Sequence, residues 1–203
     1  MQEADVARYV LTGAPGAGKT AILRLLERAG HRVVEEAATD VIALEQALGR
    51  LEPSTRAGFT DMIAALQRQR EIQAGGDGAA ASDGAGAIFF DRSPVCTLAL
   101  SRYLGSPVSA LLAAEVERVV RNRVYAAVFF VRNQGFVEPT AARRISFGDS
   151  LVFEKVHEQV YRELGFELID VPAGPLEWRA ELVCAAAGLP APLDPGGFRA
   201  RTS

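Results

Sequence analysis

The chain has 203 residues, 49% hydrophobic and 23% charged, with a formal net charge of -3. That balance excludes wholesale disorder, gives no electrostatic reason to expect nucleic acid as a partner, and suffices for one compact domain without disulfide or structural metal. No apolar run nears the ~18–20 residues of a membrane span. The opening MQEADVARYV lacks the layout of a signal peptide, and two cysteines, Cys96 and Cys184, are too few for a disulfide scaffold. Together these point to the cytoplasm.

In chain order, Arg8 to Thr12 (RYVLT) reads as a strand ending at a glycine-rich turn. Ile22, Leu23, Leu25 and Leu26 follow with helical spacing, stopped by Gly30. Arg32 to Glu35 is a second short strand, and Val41, Ile42, Leu44 and Leu48 mark a helix. Ser54 is a plausible cap for the next, whose Phe59, Met62, Ile63 and Leu66 share one face. Gln73 to Ala87 is low in complexity and predicts a flexible surface loop, centred on 74–87. Ala87 to Asp91 is the third strand, followed by helices around Cys96–Leu104 and Ala110–Asn122. The continuous apolar run Tyr125 to Arg132 is a fourth strand, covered on both faces. A polar segment at about 133–150 leads into a helix through Val152, Val156, Val160 and Leu164. Glu167 to Val171 is the fifth strand and Leu176 to Ala187 the last helix. Residues 1–188 thus form one domain with alternating strands and helices, a parallel α/β sheet with helices on both faces. The tail 189–203, with three prolines and two adjacent glycines, is expected to fray.

Gly13-Ala14-Pro15-Gly16-Ala17-Gly18-Lys19-Thr20 matches G-x-x-x-x-G-K-[ST] in full, between an apolar strand and an apolar helix. Its glycines let backbone N–H groups curl inward onto phosphate oxygens, and the helix start adds a positive dipole end. Lys19 would reach the β- and γ-phosphates and the Thr20 hydroxyl would ligate Mg²⁺. Only two of the 22 basic residues are lysine, Lys19 and Lys155, and a site that admits a compact cation is a reason to keep one.

Asp91 ends the third strand, where an acid partners the metal side of such a loop. Its neighbour is Arg92 rather than the second acid of a motor ATPase. Pro94 stands where a switch GTPase needs glycine, and no N-K-x-D is present. Small-molecule kinases remain. They need a carboxylate after the second strand to take or orient the acceptor hydroxyl proton, and of Glu35 and Glu36 strand alternation favours Glu36. Arg143 and Arg144 sit between the fourth strand and the next helix, where a lid closes over the transferring group. The segment Val171 to Pro175 is placed to line an adenine pocket. His31 and His157 have no ligand partner nearby in sequence and read as surface residues, while Cys96 and Cys184 read as core thiols.

GAPGAGKT, HRVVEEAATDVI, FFDRS, AARRISF and YRELGFELIDVPAGPLEWRAELV resemble the AAA-labelled ATPase domains related to the ribosylnicotinamide kinase domain of NadR, over about residues 10–183. The resemblance implies a P-loop NTPase fold of the nucleoside- or nucleotide-kinase kind, with sheet order 2-3-1-4-5 and a lid. It carries the strand-two acid onto Glu36, the Asp-Arg pair onto Asp91 and Arg92, the lid arginine onto Arg143 and the last-helix arginine onto Arg179. Thr39 and Thr140 depart from residues frequent in relatives, and no adenylyltransferase H-x-G-H is present. Two functions follow as expectations. One is an Mg·ATP-dependent phosphotransferase acting on a small hydroxyl-bearing molecule; the other is a slow ATP or GTP hydrolase that serves as an adaptor for a protein or lipid.

Overall fold

The computed structural model describes residues 6–76, 87–135 and 146–192. Five strands, β1 (Arg8–Thr12), β2 (Arg32–Val34), β3 (Ile88–Asp91), β4 (Ala127–Val131) and β5 (Leu168–Val171), form one sheet in the order β2-β3-β1-β4-β5. Every pairing is parallel. The helices are α1 (Lys19–Arg28), α2 (Ala37–Ala47), α3 (Phe59–Gly76), α4 (Pro94–Tyr103), α5 (Ala110–Arg121), α6 (Phe147–Glu163) and α7 (Leu176–Ala186), with a 3₁₀ turn at Pro53–Thr55.

Strand alternation sorts the side chains between two cores. Tyr9, Leu11, Phe89, Phe129 and Val171 point to one face, under Ile22, Leu23 and Leu26 of α1 and Ala180, Val183 and Cys184 of α7. Val10, Ile88, Phe90 and Val128 point to the other, under α3, α4, α5 and α6. Each fully buried Phe or Leu contributes roughly 1.5–3 kcal/mol, which is why the central strands read as unbroken apolar runs. Both cysteines are buried free thiols, as expected. Among the described residues, no helix is long and apolar enough to cross a membrane.

Three boundaries differ from the sequence reading. Ser54 caps no long helix: Pro53, lacking an N–H, opens a single 3₁₀ turn, Gly58 turns the chain at φ 81°, and α3 starts only at Phe59. At its other end α3 runs through residues 73–76, because Arg32 Nη1 donates to the Ala74 carbonyl at 2.8 Å and so satisfies a helix-end acceptor. Of the segment read as irregular at 133–150, residues 147–150 are the first turn of α6, capped by Ser146 accepting from the Asp149 N–H. Most of the expected loop at 74–87, the lid arginines Arg143 and Arg144, and the tail beyond 192 lie outside the described residues. Leu189, at the start of the segment expected to fray, packs against the α1/α7 core and its N–H reaches the Cys184 carbonyl.

Candidate active site

The turn from β1 to α1 stands at the carboxyl ends of the central strands, where parallel sheets place ligands. Gly13 has φ 126°, and a Cβ there would lie 2.3 Å from the Val131 carbonyl oxygen of β4. Gly18, at φ 88°, would push a Cβ to 2.9 Å from Arg179 Nη1. Both glycines are needed because the loop lies directly on the sheet end and on a buried arginine. Arg179, on α7, donates from Nη1 to the Ala17 carbonyl at 2.8 Å and from Nη2 to the Arg132 carbonyl at 2.9 Å. It braces the loop against the end of β4. Gln134 closes the same side, its amide exchanging two 3.2 Å hydrogen bonds with the Gly174 backbone. The segment read as an adenine-pocket lining is thereby tied to the loop after β4.

Lys19 is only 4% exposed, and its Nζ donates to the carbonyls of Gly13 at 3.2 Å and Ala14 at 2.8 Å. The ammonium thus lies within the curl formed by residues 13–20. Thr20 Oγ1 donates to Asp91 Oδ2 at 3.1 Å, which joins the two residues expected to serve a metal. The other carboxylate oxygen, Asp91 Oδ1, is buried with no hydrogen-bond partner among the described residues. Burial pushes the Asp91 carboxyl pKa up, and the Lys19 ammonium partly opposes it. A buried carboxylate with one oxygen unused, beside a hydroxyl, fits a divalent cation.

The two acids after β2 part company. Glu35, with its side chain 56% exposed, pairs with Arg24. Glu36 is 11% exposed and turns inward, where Arg92 Nε donates to its Oε1 at 2.6 Å and Thr39 Oγ1 to its Oε2 at 2.9 Å. Arg70 of α3 holds the turn by donating to the carbonyls of Glu35 at 3.1 Å and Glu36 at 2.9 Å and by pairing with Asp40. Glu36, Asp91, Thr20 and Thr39 line one cavity of about 220 Å³. On its other side Glu36 borders a smaller cavity of about 120 Å³, with Ile42, Ile63, Leu100 and Phe153 as walls and Gln67 among its lining residues. Gln67 Nε2 is buried and has no hydrogen-bond partner among the described residues.

Two residues escaped the sequence reading. His157 is no surface residue: it is wholly buried in α6, and its Nε2 lies 3.2 Å from Arg92 Nη1. Gln67 carried no signal beyond lying on an amphipathic helix. His31 is half-buried and edge-on to Phe89. Among the described residues no group of His, Cys, Asp and Glu forms a metal cluster, so a cation here would rely on Thr20 and Asp91 with other oxygen donors.

The family model described as AAA domain matches residues 8–179. The chain belongs to the AAA domain family. Solved structures sharpen the fold of this AAA domain. NadR in complex with NR superposes with a TM-score of 0.65 at 14% identity, covering 94% of this chain and 52% of that one. NadR in complex with NAD and AMP-PNP gives 0.60 at 13%, covering 93% and 51%. Deoxyadenosine kinase from M. mycoides with bound dATP gives 0.55 at 16%, covering 90% and 99%. The chain therefore spans about half the length of the NadR chains and nearly the whole of the deoxyadenosine kinase. No curated protein matches in sequence. The fold of this AAA domain is that of P-loop kinases, with the sheet order 2-3-1-4-5.

Proposed function

We propose that this AAA domain transfers the γ-phosphoryl group of ATP to a hydroxyl of a small, nucleoside-like molecule. The observation that carries the reading is the shared cavity: Glu36 and the Thr20–Asp91 pair line the same 220 Å³ space at the end of the central strands. Backbone N–H groups of residues 13–20 and the Lys19 ammonium would hold the β- and γ-phosphates. Thr20 and Asp91 would hold Mg²⁺, which when bound neutralises charge on phosphate oxygens. The acceptor oxygen attacks the γ-phosphorus, the bond from that phosphorus to the β–γ bridging oxygen breaks, and ADP departs. Glu36, oriented by its ion pair with Arg92, receives the hydroxyl proton. Arg143 and Arg144, outside the described residues, remain proposed as the lid cations that offset charge on the group in flight.

The 120 Å³ cavity supports the acceptor class. Its walls suit a flat ring, and the Gln67 amide N–H, without a partner among the described residues, suits a ring carbonyl or nitrogen. NadR with NR and deoxyadenosine kinase with dATP are the fold neighbours that accord with it. An adaptor needs no such acceptor space, and no feature of the site favours that reading.

The test is ADP release from Mg·ATP with deoxyadenosine, the other deoxynucleosides and nicotinamide riboside as acceptors. One of them should raise turnover at least about tenfold over hydrolysis, and Lys19→Ala should abolish it. Equal turnover with and without every acceptor, or undiminished turnover in K19A, would overturn the assignment.

A further inference from the structure

Glu36 is not held by Arg92 alone. The Phe153 carbonyl can only accept a hydrogen bond, so His157 Nδ1, 3.0 Å from it, must carry the proton. In the neutral ring Nε2 is then a bare lone pair, and it faces Arg92 Nη1 at 3.2 Å. A guanidinium has no acceptor, so the hydrogen bond runs from Arg92 to His157. Arg92 in turn directs Nε at Glu36 Oε1, at 2.6 Å. The guanidinium is planar and rigid, and fixing two of its nitrogens fixes where its N–H groups point.

The backbone points the same way. Arg92 has φ 73°, a left-handed conformation that a non-glycine residue keeps only where its surroundings enforce it. His157 is wholly buried, packed edge-on against Phe153 with ring centroids 4.3 Å apart. A residue that merely filled this space could be apolar. This one offers its single lone pair to the cation that grips the candidate proton acceptor.

We propose that His157 is a positioning residue of the active site: its neutral imidazole, locked by the Phe153 carbonyl, holds Arg92 so that Arg92 aims the Glu36 carboxylate. Burial and the adjacent Arg92 cation both disfavour an imidazolium there, in keeping with this geometry. The effect on rate rests on the reading of Glu36 above. The hold on Arg92 does not, and the two are separable by experiment.

The test uses the full chain, labelled with ¹⁵N, and the variants His157→Gln and His157→Phe. In the wild type, long-range ¹H–¹⁵N spectra at pH 7.5 should show the His157 ring as the Nδ1–H tautomer. The Arg92 Nε–H signal should be displaced and slow to exchange. Glutamine can still donate to Phe153 and accept from Arg92, so H157Q should keep that signal; H157F should lose it. With whichever nucleoside the wild type phosphorylates, H157F should lower kcat by about ten- to a hundredfold, as small misplacements of reacting groups do, with KM for ATP within about twofold. H157Q should recover most of the rate. An Nε2–H tautomer or an imidazolium in the wild type would overturn the proposal, whether or not any variant folds. So would an unaltered Arg92 signal in H157F. If the wild type phosphorylates none of the nucleosides, the kinase reading fails, while the His157 tautomer and the Arg92 signal still decide the positioning claim.

Discussion

Arg179 and Ala17 stand 162 positions apart, yet the guanidinium donates to that carbonyl at 2.8 Å and so anchors the glycine-rich turn to α7. The same side chain holds the Arg132 carbonyl. Removing it leaves a buried acceptor, the Ala17 carbonyl, and a part-buried one, the Arg132 carbonyl, short of a partner, so Arg179→Ala should cost about 2–4 kcal/mol in urea unfolding. Arg179→Lys, with a point charge in place of a fork, should recover only part of this. ATP affinity by calorimetry should fall in both variants, more in the alanine one.

Gly13→Ala is expected to be far worse than an ordinary glycine substitution. The new Cβ meets the Val131 carbonyl oxygen at 2.3 Å, and φ 126° suits no L-residue. Neither the β1 turn nor the β4 backbone can yield without breaking the sheet. The variant should fall several kcal/mol in stability or fail to accumulate as folded protein, read by thermal unfolding.

His157 also makes stability depend on pH. Its folded pKa lies well below the ordinary imidazole value, because it is buried and faces Arg92. As pH falls below about 6.5, the unfolded chain takes up a proton that the folded chain refuses, so stability is lost on the acid side. Between pH 7.5 and 5.5 this one group should remove about 1.4 kcal/mol. His31, half-buried and shifted the same way by burial, adds to the slope in all variants. The urea midpoint of H157Q should therefore fall less over that range than that of the wild type; parallel profiles would refute the assignment.

Glu71 provides the opposite kind of prediction. This buried carboxylate, 2% exposed, collects Arg8 at 3.4 Å, Arg68 at 3.0 Å and Arg118 at 2.7 Å, tying β1, α3 and α5 together at the end of the sheet away from the loop. Glu71→Ala should cost about 1–3 kcal/mol in urea unfolding, since three partly exposed guanidinium groups lose their common anion while Arg118 keeps Glu115 at 3.0 Å. ATP affinity of the protein that remains folded should be unchanged.

What could be read in the sequence was what is contiguous. The turn 13–20 announces itself because every residue that shapes it is adjacent to the next, and β3, β1 and β4 show as apolar runs because both their faces are covered. Alternation and the family resemblance both single out Glu36 over Glu35, and its side chain is the more buried of the two. His157 was missed for the converse reason. Nothing local marks it: its partner Arg92 lies 65 positions away, and a single histidine among Phe153, Val156 and Val160 looks like any helix residue. The start of α3 was misplaced because serine after proline fits a helix cap, whereas Gly58 imposes a second turn before the helix begins.

The bracing of the β1–α1 turn also sets an order of events for the growing chain. The turn is encoded within the first twenty residues, but its floor, the Val131 carbonyl, and its brace, Arg179, are translated far later. A ribosome-bound nascent chain halted before α7 emerges would carry the entire glycine-rich signature without a finished grip on triphosphate. On the function proposed above, full affinity for nucleotide would then arrive only once α7 has been made, so that the strength of ligand capture reports how far synthesis of the domain has gone.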